Sequence, residues 1–328
     1  MEKIPNIVLP TIRSREHFQE FLNAWKDEFN GCHVIVVEDR PKKELESLLA
    51  EYTFSYTIYD WEDINRDLGE NAWIIPRKSD TVRSYGYLKA YQNDPLFILT
   101  LDDDTYPLEP GFVQEHYNRL FSPVTHKSNY YSTLKNYKFY NPRGYIPGQT
   151  EVLINHGGWI ENPDFDAETQ IEFRSQMKLQ RSDFNEGLVP RGAMLSMCGM
   201  NLSWKPEATK YLYFQLHGHV IENGELKKLP IDRMGDIFAG FYAKHFIDKL
   251  DGKGMTTGAP FVIHRRASNP WVNKLKEANK WPYLEWTLKL LEDDFDPAAE
   301  YNFPNEEMKN YFTTLRRAYQ IWFQLCGK

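Results

Sequence analysis

The sequence predicts an α/β domain with a mostly parallel central sheet. Three short apolar runs, which begin at Asn6, His33 and Phe97, each end in polar or acidic residues. Such runs are typical of strands buried on both faces of a parallel sheet. Between the first two runs, Glu16–Phe29 has apolar residues at helical spacing, with Ser14 as its cap. This order of strand, helix and strand predicts a right-handed βαβ unit.

The third run, Phe97–Leu101, leads directly into Asp102, Asp103 and Asp104. Ligands of open α/β sheets bind outside the carboxyl ends of the strands. Three adjacent carboxylates repel one another, and a divalent cation that carries a diphosphate would relieve this repulsion. An acidic turn with solvated side chains is the alternative, and the run by itself leaves both open.

Asp39 follows the second run, which spans His33–Asp39. It is placed either to accept hydrogen bonds from a ribose or base, or to cap the turn before Pro41. Further along, Tyr56–Asp60 predicts a third short strand, and Asp63–Gly69 predicts a turn or a single helical turn.

A helix is predicted over Thr81–Gln92, with Ser79 or Asp80 as its cap. Lys78 and Arg83 lie near its start, where acidic residues are usual. They indicate either a clamp for a diphosphate or a solvated basic helix start. The chain has neither a Gly-x-Gly-x-x-Gly nor a Walker sequence, which argues against a Rossmann dehydrogenase and a P-loop enzyme.

Residues 130–158 are rich in Tyr, Asn, Gly and Pro and predict a long irregular segment, which in a compact protein is usually functional. Met197–Trp204 predicts a strand packed closely against a ligand or a neighbouring backbone. Asp236 opens an apolar helix, where it either caps the helix or binds sugar hydroxyls. His264 ends a last strand beside Arg265 and is either structural, a third metal ligand or a phosphate contact.

Composition excludes several classes of protein. The formal net charge of −7 argues against a general binder of nucleic acid or of anionic membranes. Cys32, Cys198 and Cys326 are widely separated, which indicates neither a zinc site nor a disulfide framework. No apolar run approaches membrane-spanning length and the first residues do not form a signal peptide, so we expect a cytoplasmic setting.

The C-terminal part of the chain differs in character. Trp281–Leu291 and Glu306–Leu325 predict helices, and the second carries an apolar stripe. The stripe predicts packing on the preceding domain. A partner-binding helix is the second choice, and a membrane-surface helix is less favoured because the polar face has mixed charge.

Several segments, in their order along the chain, resemble the plant reversibly glycosylated polypeptides, also known as UDP-arabinopyranose mutases. The matching stretches are Ile7–Arg13, Asp63–Arg66, Ser84–Tyr87, Asp102–Asp104, Arg143–Tyr145, His156–Trp159, Met197–Leu202, Ala239–Gly240 and His264–Val272. The resemblance covers about residues 6–275. It implies a glycosyltransferase A-type nucleotide-diphospho-sugar fold and a divalent metal, Mn²⁺ or Mg²⁺. It also implies a cycle in which a UDP-sugar transfers its sugar to an enzyme arginine and back.

The resemblance implies the role of Arg143, and the residue pattern together with the expected function predicts the roles of the other site residues. Arg143 would receive or stabilise the sugar, and Asp236 would orient its hydroxyls. Asp102 and Asp104, with His264, are the expected metal ligands. The residues expected to bind the uridine and the phosphates are Thr11, Arg13, Asp39, Asp63, Lys78, Arg83, Asp103 and Arg265. Because a guanidinium is protonated in water, a nucleophilic arginine requires a nearby carboxylate and a desolvated pocket.

Two departures from the family pattern lie where the sugar would bind. The family has a second arginine shortly after Arg143, whereas this chain continues as Ile146–Thr150. The family also has paired aspartates where this chain has Gly235 and Asp236. These changes bear on the identity of the sugar more than on the nucleotide or the metal.

The expected function is a metal-dependent UDP-sugar pyranose/furanose mutase, with UDP-arabinofuranose as the leading product. The alternatives are a metal-dependent glycosyltransferase that uses a separate acceptor, and a non-catalytic partner of an active relative. We expect a nucleotide-sugar-binding catalytic α/β domain over residues 1–275 and a packed helical extension over residues 276–328. The expected partner is the UDP-sugar, without nucleic acid or a membrane span, and a homo-oligomer is left open.

Overall fold

A computed structural model describes residues 3–127, 147–172, 178–222, 225–229, 231, 234–265, 269–296 and 299–327. Arg143 lies outside the described residues.

The elements alternate between strands and helices over most of the chain. The strands are β1 (Asn6–Thr11), β2 (His33–Glu38), β3 (Ser55–Tyr59), β4 (Ile98–Leu101), β5 (Thr105–Pro107), β6 (Val124–Lys127), β7 (Pro147–Glu161), β8 (Gly187–Leu188), β9 (Asn201–Trp204), β10 (His219–Glu222), β11 (Glu225–Lys228) and β12 (Lys253–His264). The helices are α1 (Arg15–Trp25), α2 (Glu46–Leu49), α3 (Trp61–Leu68), α4 (Val82–Gln92), α5 (Phe112–Phe121), α6 (Ala167–Glu172), α7 (Gly235–Asp248), α8 (Pro270–Lys276), α9 (Lys280–Glu292) and α10 (Glu306–Cys326). Short 3₁₀ helices cover Gly69–Ile74, Arg181–Asp183 and Pro206–Tyr211.

The main sheet has the strand order β3-β2-β1-β4-β9-β7-β12-β5, with β6 paired to β7 and β8 paired to β12. Strands β3, β2, β1, β4, β7 and β12 point in one direction, and β9 and β5 run against them. The prediction of an α/β fold with a mostly parallel sheet is therefore confirmed. The carboxyl ends of the six co-directional strands lie along one edge of the sheet.

Most of the elements around the predicted site agree with the sequence. Strand β1 begins at the predicted Asn6, and β2 and α4 differ from prediction by one residue at one end. Helix α1 ends at Trp25, four residues before the predicted Phe29. Of the two alternatives predicted at Asp63–Gly69, a turn or a single helical turn, the helical one is closer, because these residues belong largely to the eight-residue helix α3. The Asp60 carboxylate accepts the Asp63 amide at 3.0 Å and the Asp63 carboxylate accepts the Asp60 amide at 3.1 Å, which is a capping box.

The irregular segment predicted over residues 130–158 is wrong for its second half, because the chain from Pro147 onward forms the strand β7. Two glycines in β7 allow other side chains to approach the strand closely. A Cβ atom on Gly157 would lie 2.2 Å from Nδ2 of Asn201, and one on Gly158 would lie 2.2 Å from the ring of Phe261. These glycines therefore mark close packing inside a sheet. The strand predicted at Met197–Trp204 is confirmed only for its last four residues.

Apolar side chains pack on both faces of the sheet. On one face, α1 buries an aromatic group that includes Phe18 and Trp25. On the other face, α10 joins a core shared with α4 and α7: Tyr319 stacks on Tyr242 at 4.0 Å between ring centroids, and Trp322 stacks on Tyr213 at 5.4 Å. Within the described part of the chain, no helix combines the length and the apolar character needed to cross a bilayer.

Candidate active site

A cavity of about 1040 Å³ opens at the carboxyl edge of the sheet. Thr11, Asp102–Asp104 and His264 line it from the ends of three strands, and Asp236 lines it from the start of α7. The volume is in the range of small-molecule and cofactor sites. Among the described residues, nine carboxylates and four Lys or Arg side chains line this cavity. The excess of negative charge favours the binding of a cation.

The carboxylates after β4 are held by neighbouring side chains. Asp103 accepts hydrogen bonds from Thr11 Oγ1 at 2.6 Å and from Arg13 Nε at 2.9 Å. Arg13 Nη2 lies 2.9 Å from Asp104 Oδ2. Burial raises the pKa of Asp103, and burial together with the charge of Asp102 raises the pKa of Asp104 to about 6. This packing does not agree with the alternative of a solvated acidic turn.

Arg83 lies beneath these carboxylates and is only 3% exposed. Its Nη2 is 2.6 Å from Asp102 Oδ1, and its Nε is 2.7 Å from Asp80 Oδ1. The alternative of a solvated basic helix start is therefore wrong for Arg83. The predicted contact of Arg83 with phosphate stays a prediction. The buried position of the side chain does not favour this contact.

His264 has the arrangement that a metal ligand requires. Its Nδ1 is 2.9 Å from the carbonyl oxygen of Asn162, which can only accept, so Nδ1 carries the proton. In the neutral ring, Nε2 then has a free lone pair, and it lies 3.9 Å from Asp104 Oδ1. A backbone carbonyl on the second ring nitrogen is usual for histidines that bind metals.

The donor set fits a divalent cation. In the described ranges, neither Oδ2 of Asp102 nor Oδ1 of Asp104 has a hydrogen-bond partner, and Nε2 of His264 lies 3.9 Å from the latter. Carboxylate oxygens and one imidazole suit Mn²⁺ and also Mg²⁺. Within the described ranges, no three His, Cys, Asp or Glu side chains converge as a preformed metal site, so a cation would have to draw these three together.

Asp39 lines the cavity and also organises the turn before α4. Its carboxylate accepts the indole N–H of Trp61 at 2.7 Å and the backbone amides of Lys78 and Ser79 at 2.9 and 3.1 Å. Burial raises its pKa. Asp39 thus organises the turn before α4 and not the turn before Pro41 that one alternative predicted. Lys78, held by this contact, lines the cavity with a left-handed φ of 55°.

The structure does not place Asp63 or Arg265 in the cavity lining. The Asp63 carboxylate lies 3.0 Å from Lys43 Nζ and 2.7 Å from Arg66 Nη1, and these hydrogen bonds outweigh burial and lower its pKa. The guanidinium of Arg265 stacks 3.8 Å from the ring centroid of Tyr106. Neither placement favours the predicted nucleotide contacts of these two residues, which stay predictions.

Asp236 is the second residue of α7, lines the cavity and is half-buried. Its Oδ1 accepts the amide of Ile237 at 2.8 Å. Burial, with the nearby charges of Asp80 and Asp164, raises its pKa well above the usual range. A protonated carboxyl here can donate a hydrogen bond to a hydroxyl of a bound ligand.

Several cavity residues were not predicted as site residues. His156 Nε2 accepts the amide N–H of Cys198 at 3.2 Å, and burial lowers its pKa to about 4. Burial also raises the pKa of the Cys198 thiol, which is therefore not an activated nucleophile. Asp80 and Asp164 also line the cavity. The spacing of Asp80 and Arg83, three residues apart at a helix start, is a signal that could have identified Asp80.

Comparison with known proteins places the chain in a family. The family model described as "Reversibly glycosylated polypeptide" matches residues 2–293. The UDP-arabinopyranose mutase 3 of Arabidopsis thaliana is 33% identical over 84% of this chain and 74% of its own length. The probable UDP-arabinopyranose mutase 1 of Solanum tuberosum is 32% identical over 84% of this chain and 73% of its own length.

Two solved structures resemble the chain in outline. One is glucosyl-3-phosphoglycerate synthase from Mycobacterium tuberculosis, with a TM-score of 0.49 and 10% identity over 88% of this chain and 80% of that one. The other is TarS from S. aureus, with a TM-score of 0.45 and 10% identity over 98% of this chain and 71% of that one. The family match and the strand directions agree with the glycosyltransferase A-type fold that the resemblance implied. The chain belongs to the reversibly glycosylated polypeptide family.

Proposed function

We propose that this chain is a UDP-sugar enzyme, and specifically a metal-dependent pyranose/furanose mutase for which UDP-arabinopyranose is the leading substrate. The observation that carries the proposal is the identity of 33% over most of the chain with a relative named as a UDP-arabinopyranose mutase. The acidic cavity at the carboxyl edge of the sheet supports it, because a nucleoside diphosphate and a divalent cation match its size and charge.

Asp102, Asp104 and His264 would hold the cation. A divalent metal there neutralises the charge that develops on the UDP leaving group. Thr11 and Arg13 hold Asp103 between the two proposed ligands, and all three carboxylates line the cavity. Lys78 lies at the rim, where its ammonium group can contact a phosphate. The contacts of Thr11, Arg13, Asp39 and Asp103 with the nucleotide are part of this proposal.

On the sugar side, Arg143 would take the sugar reversibly. A guanidine nitrogen forms a bond to the anomeric carbon, the bond from that carbon to the diphosphate breaks, and UDP leaves. The guanidinium proton passes to a carboxylate of the cavity. While the sugar is attached, the bond from the anomeric carbon to the ring oxygen breaks and that oxygen takes the proton from the carboxyl group. A different hydroxyl oxygen then bonds to the anomeric carbon and gives its proton to the carboxylate, and the reverse transfer returns the sugar to UDP. Asp236 would orient the hydroxyls of the sugar by hydrogen bonding.

The test is incubation with UDP-arabinopyranose and Mn²⁺, followed by anion-exchange chromatography and intact-mass measurement. We expect a UDP-arabinofuranose peak and a pentose adduct that maps to Arg143. The Arg143→Lys variant should lose both, whereas Arg191→Lys, on an exposed turn outside the cavity lining, should keep them. Absence of a furanose product with every UDP-pentose and UDP-hexose would contradict the proposal.

Other outcomes of the same assay identify other functions. Release of UDP only when a separate acceptor is added would indicate a glycosyltransferase. Retained UDP binding without turnover would indicate a non-catalytic partner of an active relative. A cytoplasmic setting and a homo-oligomeric state stay predictions that this assay does not address.

A further inference from the structure

The guanidinium of Arg83 connects three separate parts of the chain. It donates from Nε and Nη2 to Asp80, which precedes α4, and from Nη2 to Asp102 after β4. Its Nη1 donates to the carbonyl oxygen of Gly199, before β9, at 2.8 Å and lies 3.5 Å from Thr100 Oγ1. An arginine has five N–H donors, and each of the five here has an acceptor within the protein. No donor is left for a phosphate.

The surroundings of Arg83 are shaped to hold the guanidinium in one position. A Cβ atom on Gly199 would lie 1.9 Å from Nη1, so only glycine leaves room there. The ring of Phe214 lies on another side, with its centroid 5.1 Å from the guanidinium carbon. A group with full hydrogen bonding and close packing has little freedom to turn toward a ligand.

The contact with Asp102 has a directional effect. Arg83 occupies Oδ1, and Oδ2 has no hydrogen-bond partner in the part of the chain that the structure describes. The carboxylate is therefore fixed about its terminal torsion with one oxygen available. Residues that hydrogen-bond to the ligands of a metal and orient them typically raise the affinity of the site for the metal by about 10- to 100-fold.

We propose that Arg83 is a positioning residue that presents Asp102 to the divalent cation, and that it does not contact the phosphates. This role rests on the proposed function only for the presence of a cation at Asp102. For the affinity of the cation, this role predicts a change opposite in sign to the one that charge alone predicts. Removal of a nearby positive charge should by itself tighten the binding of a cation, whereas loss of a positioning residue should weaken it.

The first experiment measures the binding of Mn²⁺ alone, without nucleotide, by electron paramagnetic resonance. We expect Arg83→Met to weaken the binding of Mn²⁺ by about 10-fold or more, and to leave the binding of UDP in EDTA unchanged. The matched control is Lys244→Met, because Lys244 is a buried cation, 1% exposed, whose partner is Asp248 and which lies outside the cavity lining. This control should bind Mn²⁺ as the wild type does.

Two results would overturn the proposal. If Arg83→Met binds Mn²⁺ as tightly as the wild type or more tightly, Arg83 does not position Asp102. If the same variant loses affinity for UDP in EDTA, Arg83 is a phosphate ligand.

A second pair of variants keeps the proposal testable if Arg83→Met does not fold. The side chain of Asp80 is 28% exposed, so its replacement disturbs the core less. Asp80→Asn keeps an acceptor for the guanidinium and should bind Mn²⁺ nearly as the wild type does, whereas Asp80→Ala should bind it several-fold more weakly. Equal effects of the two variants would assign the change to lost charge and would overturn the positioning role. If the wild type itself binds no Mn²⁺, the metal assignment in the proposed function fails instead.

Discussion

Nη2 of Arg13 lies 2.9 Å from Oδ2 of Asp104, and the same guanidinium also binds Asp103. Arg13→Gln would leave two partly buried carboxylates without their counter-ion. We expect the free energy of unfolding to fall by about 1–3 kcal/mol at pH 7, which is less than for a fully buried pair. The loss should be much smaller near pH 3, where the carboxyl groups are protonated. Urea unfolding of the wild type and the variant at the two pH values measures the loss of unfolding free energy at each.

The matched control for Arg13 is Arg15→Gln. Arg15 pairs with Glu51 at 2.6 Å, and both side chains are exposed. The loss there should stay below about 1 kcal/mol. An equal effect of the two substitutions, or an effect of Arg13→Gln that does not depend on pH, would contradict the assigned pairing.

His156 provides a prediction about acid stability. Burial lowers its pKa to about 4, whereas in an unfolded chain the value is about 6.5. Between these values the unfolded chain binds a proton that the folded chain does not, so stability is lost as the pH falls from 6.5 to 4. His156 accounts for about 3 kcal/mol of the unfolding free energy that is lost over this pH range. His156→Gln should remove this part and flatten the pH dependence of the unfolding free energy. An unchanged slope in this window would contradict the buried, neutral ring.

Gly157 tests the close packing of β7. A Cβ atom there would meet the side chain of Asn201, which is fully buried and donates to the carbonyl oxygens of Gly158 at 2.9 Å and Pro260 at 2.8 Å. Because Asn201 cannot move without losing these bonds, Gly157→Ala should cost about 3 kcal/mol of unfolding free energy. Gly31→Ala, at a left-handed φ with open space around it, should cost about 1 kcal/mol. A smaller cost for Gly157→Ala than for Gly31→Ala would show that the strand has room.

Trp322 tests whether α10 shares the core of the sheet domain. Its indole N–H donates to the carbonyl oxygen of Thr209 at 3.2 Å, and its ring stacks on Tyr213. Trp322→Ala should lower the unfolding free energy by about 3–5 kcal/mol in a single cooperative transition. Gln320→Ala, on the exposed face of α10, should change it by less than about 0.5 kcal/mol. Two separate transitions would indicate that the helix folds apart from the rest.

The strands that form the site were predictable because their residues are buried on both faces. Phe97–Leu101 is apolar except for Thr100 and ends at Asp102, so both the strand and the location of the carboxylates follow from the same pattern. The capping box of Asp60 and Asp63 was also visible in principle, because an acidic residue three positions after an N-cap residue is its usual signature.

Other features depend on contacts between residues that are distant in the sequence. In the sequence, Gly157 and Gly158 are typical of a loop. The fold shows that they allow the side chains of Asn201 and Phe261 to pack closely on a strand. Likewise, Arg83 resembles a free phosphate ligand at a helix start, and only the fold brings Asp102 and Gly199 onto its guanidinium. Of the partners of Arg83, local sequence contains only Asp80, so it could not show that the other donors of the guanidinium are also occupied.

In the proposed function, a divalent cation at Asp102 and Asp104 links this cavity to a UDP-sugar. Calorimetric titration of UDP into the protein, with Mn²⁺ and then with EDTA, tests it most directly. We expect binding with Mn²⁺ that becomes about 10-fold weaker or more in EDTA, and a similar loss in Asp102→Asn with Mn²⁺ present. Equal affinity for UDP with Mn²⁺ and with EDTA, or no heat in either, would contradict the claim.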